Sequence, residues 1–380
     1  MAAQLLSTSG LEKPYVSYAV AADYAMLSVY LLVLLISVTA YRARSSPTRA
    51  SNVVLVMPSV ATRSVKDSLL YAISHNRFLG LPIYVVIDEG AELEDDLKRL
   101  SGVNVVVVPK DYRRDLIGKG RALRYFVENY VRPDVWYVFL DDDNLVLDDK
   151  FLYEIPYYER KGYAAFNPVL VPRQGRSPIA FVMDFARYLD DISFFRFFTG
   201  LLKRPYLGLH GELLGVKGSA LLALDAFNEP SKVEDYRLAI KIVRSGLKTW
   251  QSATRVSILS PNSVRDLIRQ RTRWHSGIFE SWRDAPASMK AAMVLKSIVR
   301  TVGMLGIWLL VPVTHSLLFA LLALPTSAAY WYVYFYGAKA ARKLKLVVTI
   351  PAFWLIEGLG FFYGLLKVGS REFIVIDKRL

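Results

Sequence analysis

Long apolar stretches sit towards the two ends of the chain, and short apolar runs separated by polar segments fill the middle. Residues 22–41 are almost continuously apolar, with residues 25–36 at their centre, which is the length of a membrane-spanning helix. Arg42, Arg44 and Arg49 follow that stretch. The positive-inside rule then puts Arg42 in the cytoplasm and the N-terminus outside, and charges on this side do not suit a cleaved signal peptide. From residue 51 to 257 the pattern changes. Runs at 53–57, 83–87, 103–108 and 136–140 have the length and Val/Ile/aromatic content of buried strands, with helical periodicity near 64–76 and 120–130 between them. Alternating strands and helices predict an α/β domain with a mostly parallel sheet covered on both faces. Ligands of such sheets bind beyond the carboxyl ends of the strands, here a rim holding Pro58, Asp88 and Asp141.

Residues 179–202 carry seven aromatic side chains but too many charges for a span, and suit either a helix in the membrane interface or a core helix. Residues 287–300 read as an amphipathic interface helix, and 302–324 and 346–366 are each long enough to cross a bilayer. An aromatic run at 329–336 and a basic stretch at 339–343 lie between those two. The expected organisation is a tail at 1–17, a membrane helix at 18–42, the α/β domain with its interface helices at 51–282, an interface helix and two more membrane helices at 287–368, and a tail at 369–380. Glu357, inside the last apolar stretch, is expected to face protein, a polar groove or lipid headgroups.

Composition sharpens this picture. The 380 residues are 53% hydrophobic, above the usual content of a water-soluble domain. A net charge of +14 suits nucleic acid, anionic lipid or a phosphorylated ligand, and the apolar stretches favour the membrane. Basic and aromatic residues are not interleaved along one strand face, so a nucleic-acid role ranks last. The chain has no cysteine and four histidines, which excludes disulfides and thiolate chemistry and disfavours a His-rich zinc site.

Candidate chemistry concentrates after the fourth strand. Asp141, Asp142 and Asp143 follow it directly, and alternation along an extended chain projects Asp141 and Asp143 together. Two hard oxygen ligands with open positions for phosphate suit Mg2+ or Mn2+, and a carboxylate cluster calls for a cation beside it. A solvated acidic turn is the alternative. Asp88 ends the second strand, where a turn residue is also expected. Glu234 and Asp235 precede an amphipathic helix and have the composition of an N-cap. Gln270, Arg271, Thr272, Arg273 and Trp274 lie on a later helix, where a basic surface face would explain them equally well.

Taken in order, these features resemble the membrane-bound family 2 glycosyltransferases with a GT-A fold, the group containing cellulose and hyaluronan synthases. The Q-x-x-R-W element at Gln270, Arg273 and Trp274 is the most specific part, and the resemblance covers residues 51–282 and the flanking spans. The segments 215–219, 233–235 and 260–274 look closer to egghead-type β-mannosyltransferases and to archaeal dolichol-pathway mannosyltransferases. The resemblance implies Asp143 as first metal ligand, with Asp141 on the sugar–ribose side as a second and Asp142 in the same donor-binding set. Manganese is the implied ion, with magnesium the alternative. The resemblance further implies that Lys119 lies near the nucleotide and phosphates, that Asp88 bonds the base, and that Pro58 and Ser59 line the same pocket. Gln270 belongs with Arg273 and Trp274, which would hold the diphosphate and the acceptor side. Asp235 is the implied general base of an inverting transfer, with Glu234 beside it. The implied activity moves mannose from GDP-mannose to dolichyl phosphate or a dolichol-linked glycan. A UDP-sugar-dependent transferase or short polysaccharide synthase is the alternative within the class, and a catalytically silent nucleotide-sugar-binding scaffold the alternative outside it.

Overall fold

Valine- and isoleucine-rich runs build the centre of one sheet in the computed structural model, which describes residues 14–298 and 317–370. Its strands are β1 (Val53–Pro58), β2 (Ile83–Asp88), β3 (Val103–Val108), β4 (Trp136–Phe139), β5 (Leu145–Val146), β6 (Tyr163–Arg173), β7 (Leu214–Lys217) and β8 (Lys248–Leu259), in the order β3-β2-β1-β4-β7-β6-β8-β5. The first four are parallel, as the sequence predicts. Beyond them the sheet is mixed: β7 runs antiparallel to both β4 and β6, β8 is parallel to β6, and β5 closes the edge antiparallel to β8. Gly215 makes the β7 insertion possible, because a Cβ there would fall inside the Phe166 ring.

Side-chain alternation explains why both faces are covered. Val53, Leu55 and Met57 of β1 and Trp136 and Val138 of β4 enter one hydrophobic cluster, while Val56, Tyr137 and Phe139 enter the other. On the first face Trp250 is fully buried, stacks on Tyr158 at 4.5 Å, meets Trp136 edge-on at 5.6 Å and donates its indole N–H to Glu154 Oε2 at 3.0 Å.

The aromatic stretch near residue 190 is a core element. Helix α6 (Pro178–Asp190) runs on into a π-helical segment, Asp191–Leu201. Phe181, Phe185, Phe194, Phe195 and Phe198 are all buried, so the interface-helix expectation gives way to one in which protein covers this surface. Part of that cover is α1 (Pro14–Ala40): Tyr30 packs on Phe194 at 4.7 Å and donates to the Tyr330 hydroxyl at 2.9 Å. At the foot of α1, the Tyr41 hydroxyl donates to the Gln251 carbonyl at 2.6 Å, which fastens the helix to β8.

Two expected boundaries move. The first helix, Pro14–Ala40, already includes residues of the expected tail at 1–17. Towards the C-terminus, residues 299–316 and 371–380 lie outside the described residues, and with them most of the expected 302–324 span and of the tail at 369–380. The helix Leu317–Ala340 passes through the expected end at 324 and includes the aromatic run, because Tyr330 and Tyr334 are buried against α1 and the last helix. That last helix, Ile350–Leu366, follows a 3-10 turn. Together they form the apolar stretch Leu344–Leu366, which among the described residues is the one long and apolar enough to cross a membrane.

Because Trp250 fills the centre of its cluster, Trp250→Ala should cost about 3–5 kcal/mol of stability. A drop of several degrees in the thermal unfolding midpoint of the purified protein is the expected result, and an unchanged midpoint would contradict this account of the core.

Candidate active site

Parallel pairing of β1, β2 and β4 ends the three strands at one edge of the sheet, and the chain turns there through Asp141, Asp142 and Asp143. Three elements meet at this turn. Lys119 immediately precedes the helix Gly120–Tyr130, and its ammonium donates to Asp141 Oδ1 at 2.8 Å and pairs with Glu234 Oε1 at 3.1 Å. Glu234 and Asp235 occupy the first turn of the helix Glu234–Ser245, where the positive end of the helix dipole favours carboxylates. The N-cap residue there is Val233, so these acids are not the cap that their composition suggests. Gly211 leaves room for the arrangement, since a Cβ at that position would run into Lys119 Nζ.

Electrostatics separates the roles these acids can take. Burial pushes the Asp235 carboxyl up, the neighbouring Glu234 and Glu212 charges push it further, and Lys119 pulls it back, leaving it at about 7. Burial would lower the Lys119 ammonium, but Asp141, Glu234 and Asp235 outweigh it and hold it well above the usual lysine range. Burial would raise Glu212, but Arg187, at 2.5 Å, holds it well below the usual carboxylate range, with His210 adding to the effect. A buried carboxyl raised to about 7 by burial and acidic neighbours, and held beside a lysine ammonium, is suited to act as a general base.

The site residues that the family resemblance implies all line one cleft of about 1080 Å3. Pro58, Ser59 and Asp88 come from β1, β2 and the turn after β1, with Lys119, Asp141, Asp142, Asp143, Glu234 and Asp235 beside them. Gln270, Arg273 and Trp274 come from α9 (Val264–Glu280). Asp142 accepts from the Ser59 hydroxyl, while Asp143 is buried and its backbone carbonyl accepts from Arg173 at 2.7 Å. Asp88 is exposed and its carboxylate pairs with Arg121 at 2.6 Å.

Helix α9 begins with a reciprocal cap: Ser263 Oγ accepts from the Asp266 N–H at 3.0 Å and donates to the Asp266 carboxylate at 2.6 Å. Two turns later its basic face points inward. Gln270 and Arg271 are buried, so the basic-surface reading of this helix does not hold. Arg271, unassigned in the sequence reading although it sits inside the quoted element, is the hub of this region. It pairs with Asp184 at 2.8 Å and Glu357 at 3.4 Å, donates to Gln270 Oε1 at 2.8 Å, and lies 4.6 Å over the Trp274 ring. Arg187 lies 4.9 Å over the same ring, and Arg273 donates to the Lys232 carbonyl at 3.0 Å. Glu357 is thus buried against Arg271 and also lines the cleft, which matches two of its expected environments, protein and a polar groove. Arg187, His210 and Glu212 also line the cleft and carry no local sequence signal, because their partners lie far away along the chain.

Among the described residues no three His, Asp or Glu side chains group closely enough to hold an ion alone. Asp141 and Asp143 both line the cleft, however, and two carboxylates completed by phosphate oxygens and water are a normal site for Mg2+ or Mn2+. The residues thus fit an ion that arrives with a phosphorylated ligand.

Comparison with known proteins agrees with this geometry. A family model described as "Glycosyl transferase family group 2" matches residues 136–356, which include Asp141–Asp143, Glu234, Asp235 and the Gln270–Trp274 element and leave out Pro58, Ser59, Asp88 and Lys119. No curated protein matches by sequence. Among solved structures, a mannosyltransferase from Pyrobaculum calidifontis, in complex with GDP-Man and Mn2+, is similar at a TM-score of 0.55 and 16% identity, covering 91% of this chain and 97% of that one. GalNAc-T7 with UDP, GalNAc and Mn2+ has a TM-score of 0.39 at 12% identity, covering 65% and 54%, too distant to carry an argument. With a family match over more than half of its length and a mixed sheet of the GT-A type, the chain belongs to glycosyl transferase family group 2.

Proposed function

We propose that the protein is an inverting, metal-dependent mannosyltransferase that uses GDP-mannose and a polyprenyl-phosphate-linked acceptor, dolichyl phosphate or a dolichol-linked glycan. The observation that carries this reading is the position of Asp235, a carboxyl at about 7 that lines the donor cleft beside the Lys119 bridge. Mannose and GDP are supported by the bound ligand of the Pyrobaculum calidifontis enzyme, and manganese by its ion. A membrane setting is supported by the apolar stretch Leu344–Leu366, whose Glu357 lines the cleft. A cleft bordered by that helix suits a lipid-borne acceptor. In this reading residues 51–282 form the catalytic unit on the cytoplasmic side, and the helices at 18–42 and 287–368 anchor it.

The chain's own residues divide the work as follows. Pro58, Ser59 and Asp88 bind the nucleoside, with Asp142 fixing Ser59. Asp141 and Asp143 would hold the divalent ion, which when bound offsets charge on the departing diphosphate. Lys119 and Arg273 bring further positive charge to the phosphates. Asp235 accepts the acceptor proton as the acceptor oxygen attacks the anomeric carbon, and attack opposite the leaving group turns an α-linked donor into a β-linked product. Glu234 keeps Lys119 next to that base, at 3.1 Å. Gln270 and Trp274, held by Arg271, border the acceptor side.

Three outcomes follow from this reading. Asp235→Asn should lower transfer by about 10^2–10^4-fold while nucleotide binding persists, as measured by turnover and calorimetry side by side. The base must be ionised to act, so kcat/KM should rise with pH up to about 7 and fall tenfold per pH unit below it. GDP-mannose with manganese should support transfer to lipid that EDTA abolishes. Transfer from UDP-glucose alone would keep the chemistry and overturn the donor.

A further inference from the structure

The apolar stretch Leu344–Leu366 is long enough to cross a bilayer, yet both ends of its helix are fastened to the α/β domain. Near the start of the helix Ile350–Leu366, Phe353 and Trp354 pack on Tyr334 at 5.2 and 6.2 Å, and Gly337 of that partner helix lies against Val182 and Phe185 of α6. Just past its end, the Gly369 N–H donates to Glu280 Oε1 at 3.0 Å. Glu280 pairs at 2.6 Å with Lys232, in the loop that leads to Glu234 and Asp235. Between these points the helix runs parallel to α9. A Cβ at Gly360 would strike Arg271 and one at Gly364 would strike His275, so a step of four residues along one helix matches a step of four along the other. Phe361 continues the pairing, with its ring 5.2 Å from His275 and 5.6 Å from Phe279.

Helix α9 belongs to the α/β domain: its Gln270, Arg273 and Trp274 line the cleft, and Arg265 and Arg269 are exposed on it. Charged side chains of this kind are costly in hydrocarbon, so α9 stays outside the bilayer core and holds its parallel partner there with it. A helix of 17 residues is about 25 Å long, and a crossing would carry its far end away from Glu280 by most of a bilayer thickness. The face turned away from α9 is apolar. Ala352, Leu355, Leu359, Phe362 and Leu366 recur at helical spacing and are exposed, Leu355 and Leu366 at 59% and 80%. Glu357, the one charged residue of this helix, is buried. Exposed basic residues flank the strip, with Lys343 and Lys345 before it and Lys367 after it. An apolar strip between cationic ends is the pattern of a helix lying at the boundary of headgroups and acyl chains.

We infer that the helix Ile350–Leu366 does not cross the membrane but lies flat in the leaflet that faces the α/β domain. Leu355, Leu359, Phe362 and Leu366 enter the acyl-chain boundary of that leaflet, and the other face of the helix rests on α9. The occupant of the exposed strip is therefore bilayer lipid, with anionic headgroups beside Lys343, Lys345 and Lys367. An interface helix replaces the crossing expected at 346–366. The inference rests on the membrane setting in the proposed function and is independent of the donor, the acceptor and the metal.

The chain has no cysteine, so single cysteines report position without background. Leu355→Cys, Leu359→Cys, Phe362→Cys and Leu366→Cys, each in the full-length protein, carry a nitroxide in vesicles of phosphatidylcholine and phosphatidylglycerol. Depth is read from relaxation by oxygen, which partitions into lipid, against relaxation by a water-soluble nickel complex. A flat helix puts all four labels just below the headgroups, at one depth to within about 5 Å, the rise of a single turn. A crossing helix puts Leu359 near the bilayer centre, about 10 Å deeper than Leu366, and that gradient would overturn the inference while leaving the membrane setting intact. Labels open to the nickel complex at all four positions would overturn both. Labels shielded from both agents would mean that a second copy of the chain covers the strip, and would also overturn the inference.

Discussion

A single ammonium group ties the candidate site together. Lys119 joins the acid at the end of β4 to the first turn of the helix Glu234–Ser245, through contacts of 2.8 and 3.1 Å. Three carboxylates from two separate elements face this group, an arrangement that would be unfavourable without a cation at its centre. The turn after β4 contributes Asp141, the loop before β7 contributes Gly211 to make space, and the helix contributes Glu234 and Asp235. Remove the bridge and like charges meet across the cleft. With it, the Asp235 carboxyl is held at about 7 against the pull of its acidic neighbours.

A second connection runs from the cleft into the apolar helices. Gly360 and Gly364 of the last helix approach α9 so closely that a Cβ on either would strike Arg271 or His275. Small residues of this kind let helices pack at backbone distance in an apolar setting. Arg271 then spans the contact, joining Glu357 on one helix to Gln270 and Trp274 on the other. The last apolar helix and α9, which both line the cleft, are thus one packed unit. A change in how the apolar helix is seated would reach the site through two hydrogen-bonded side chains.

Much of this was legible in the sequence, for identifiable reasons. Val53 to Pro58, Ile83 to Asp88 and Val103 to Val108 could be found because a strand buried on both faces must be apolar throughout. The site residues could be found because strand ends, a helix start and the Q-x-x-R-W element are local features. What escaped was made by long-range pairing. β5 is two residues long, and its partner in β8 is more than a hundred residues away. Arg187, Glu212 and Arg271 act through partners on other elements, and nothing in their neighbours marks them as buried. The aromatic segment 179–202 had the composition of an interface helix, and only the packing of α1 against it showed which surface it meets.

The most direct test of the account is the pH dependence of transfer by Lys119→Gln. Lys119 holds the Asp235 carboxyl down against its acidic neighbours, so its removal should move the acid limb of kcat/KM from about 7 to higher pH and weaken donor binding as well. An acid limb that stays in place, with donor affinity unchanged, would show that the Lys119 bridge does not govern the base and would contradict the central claim.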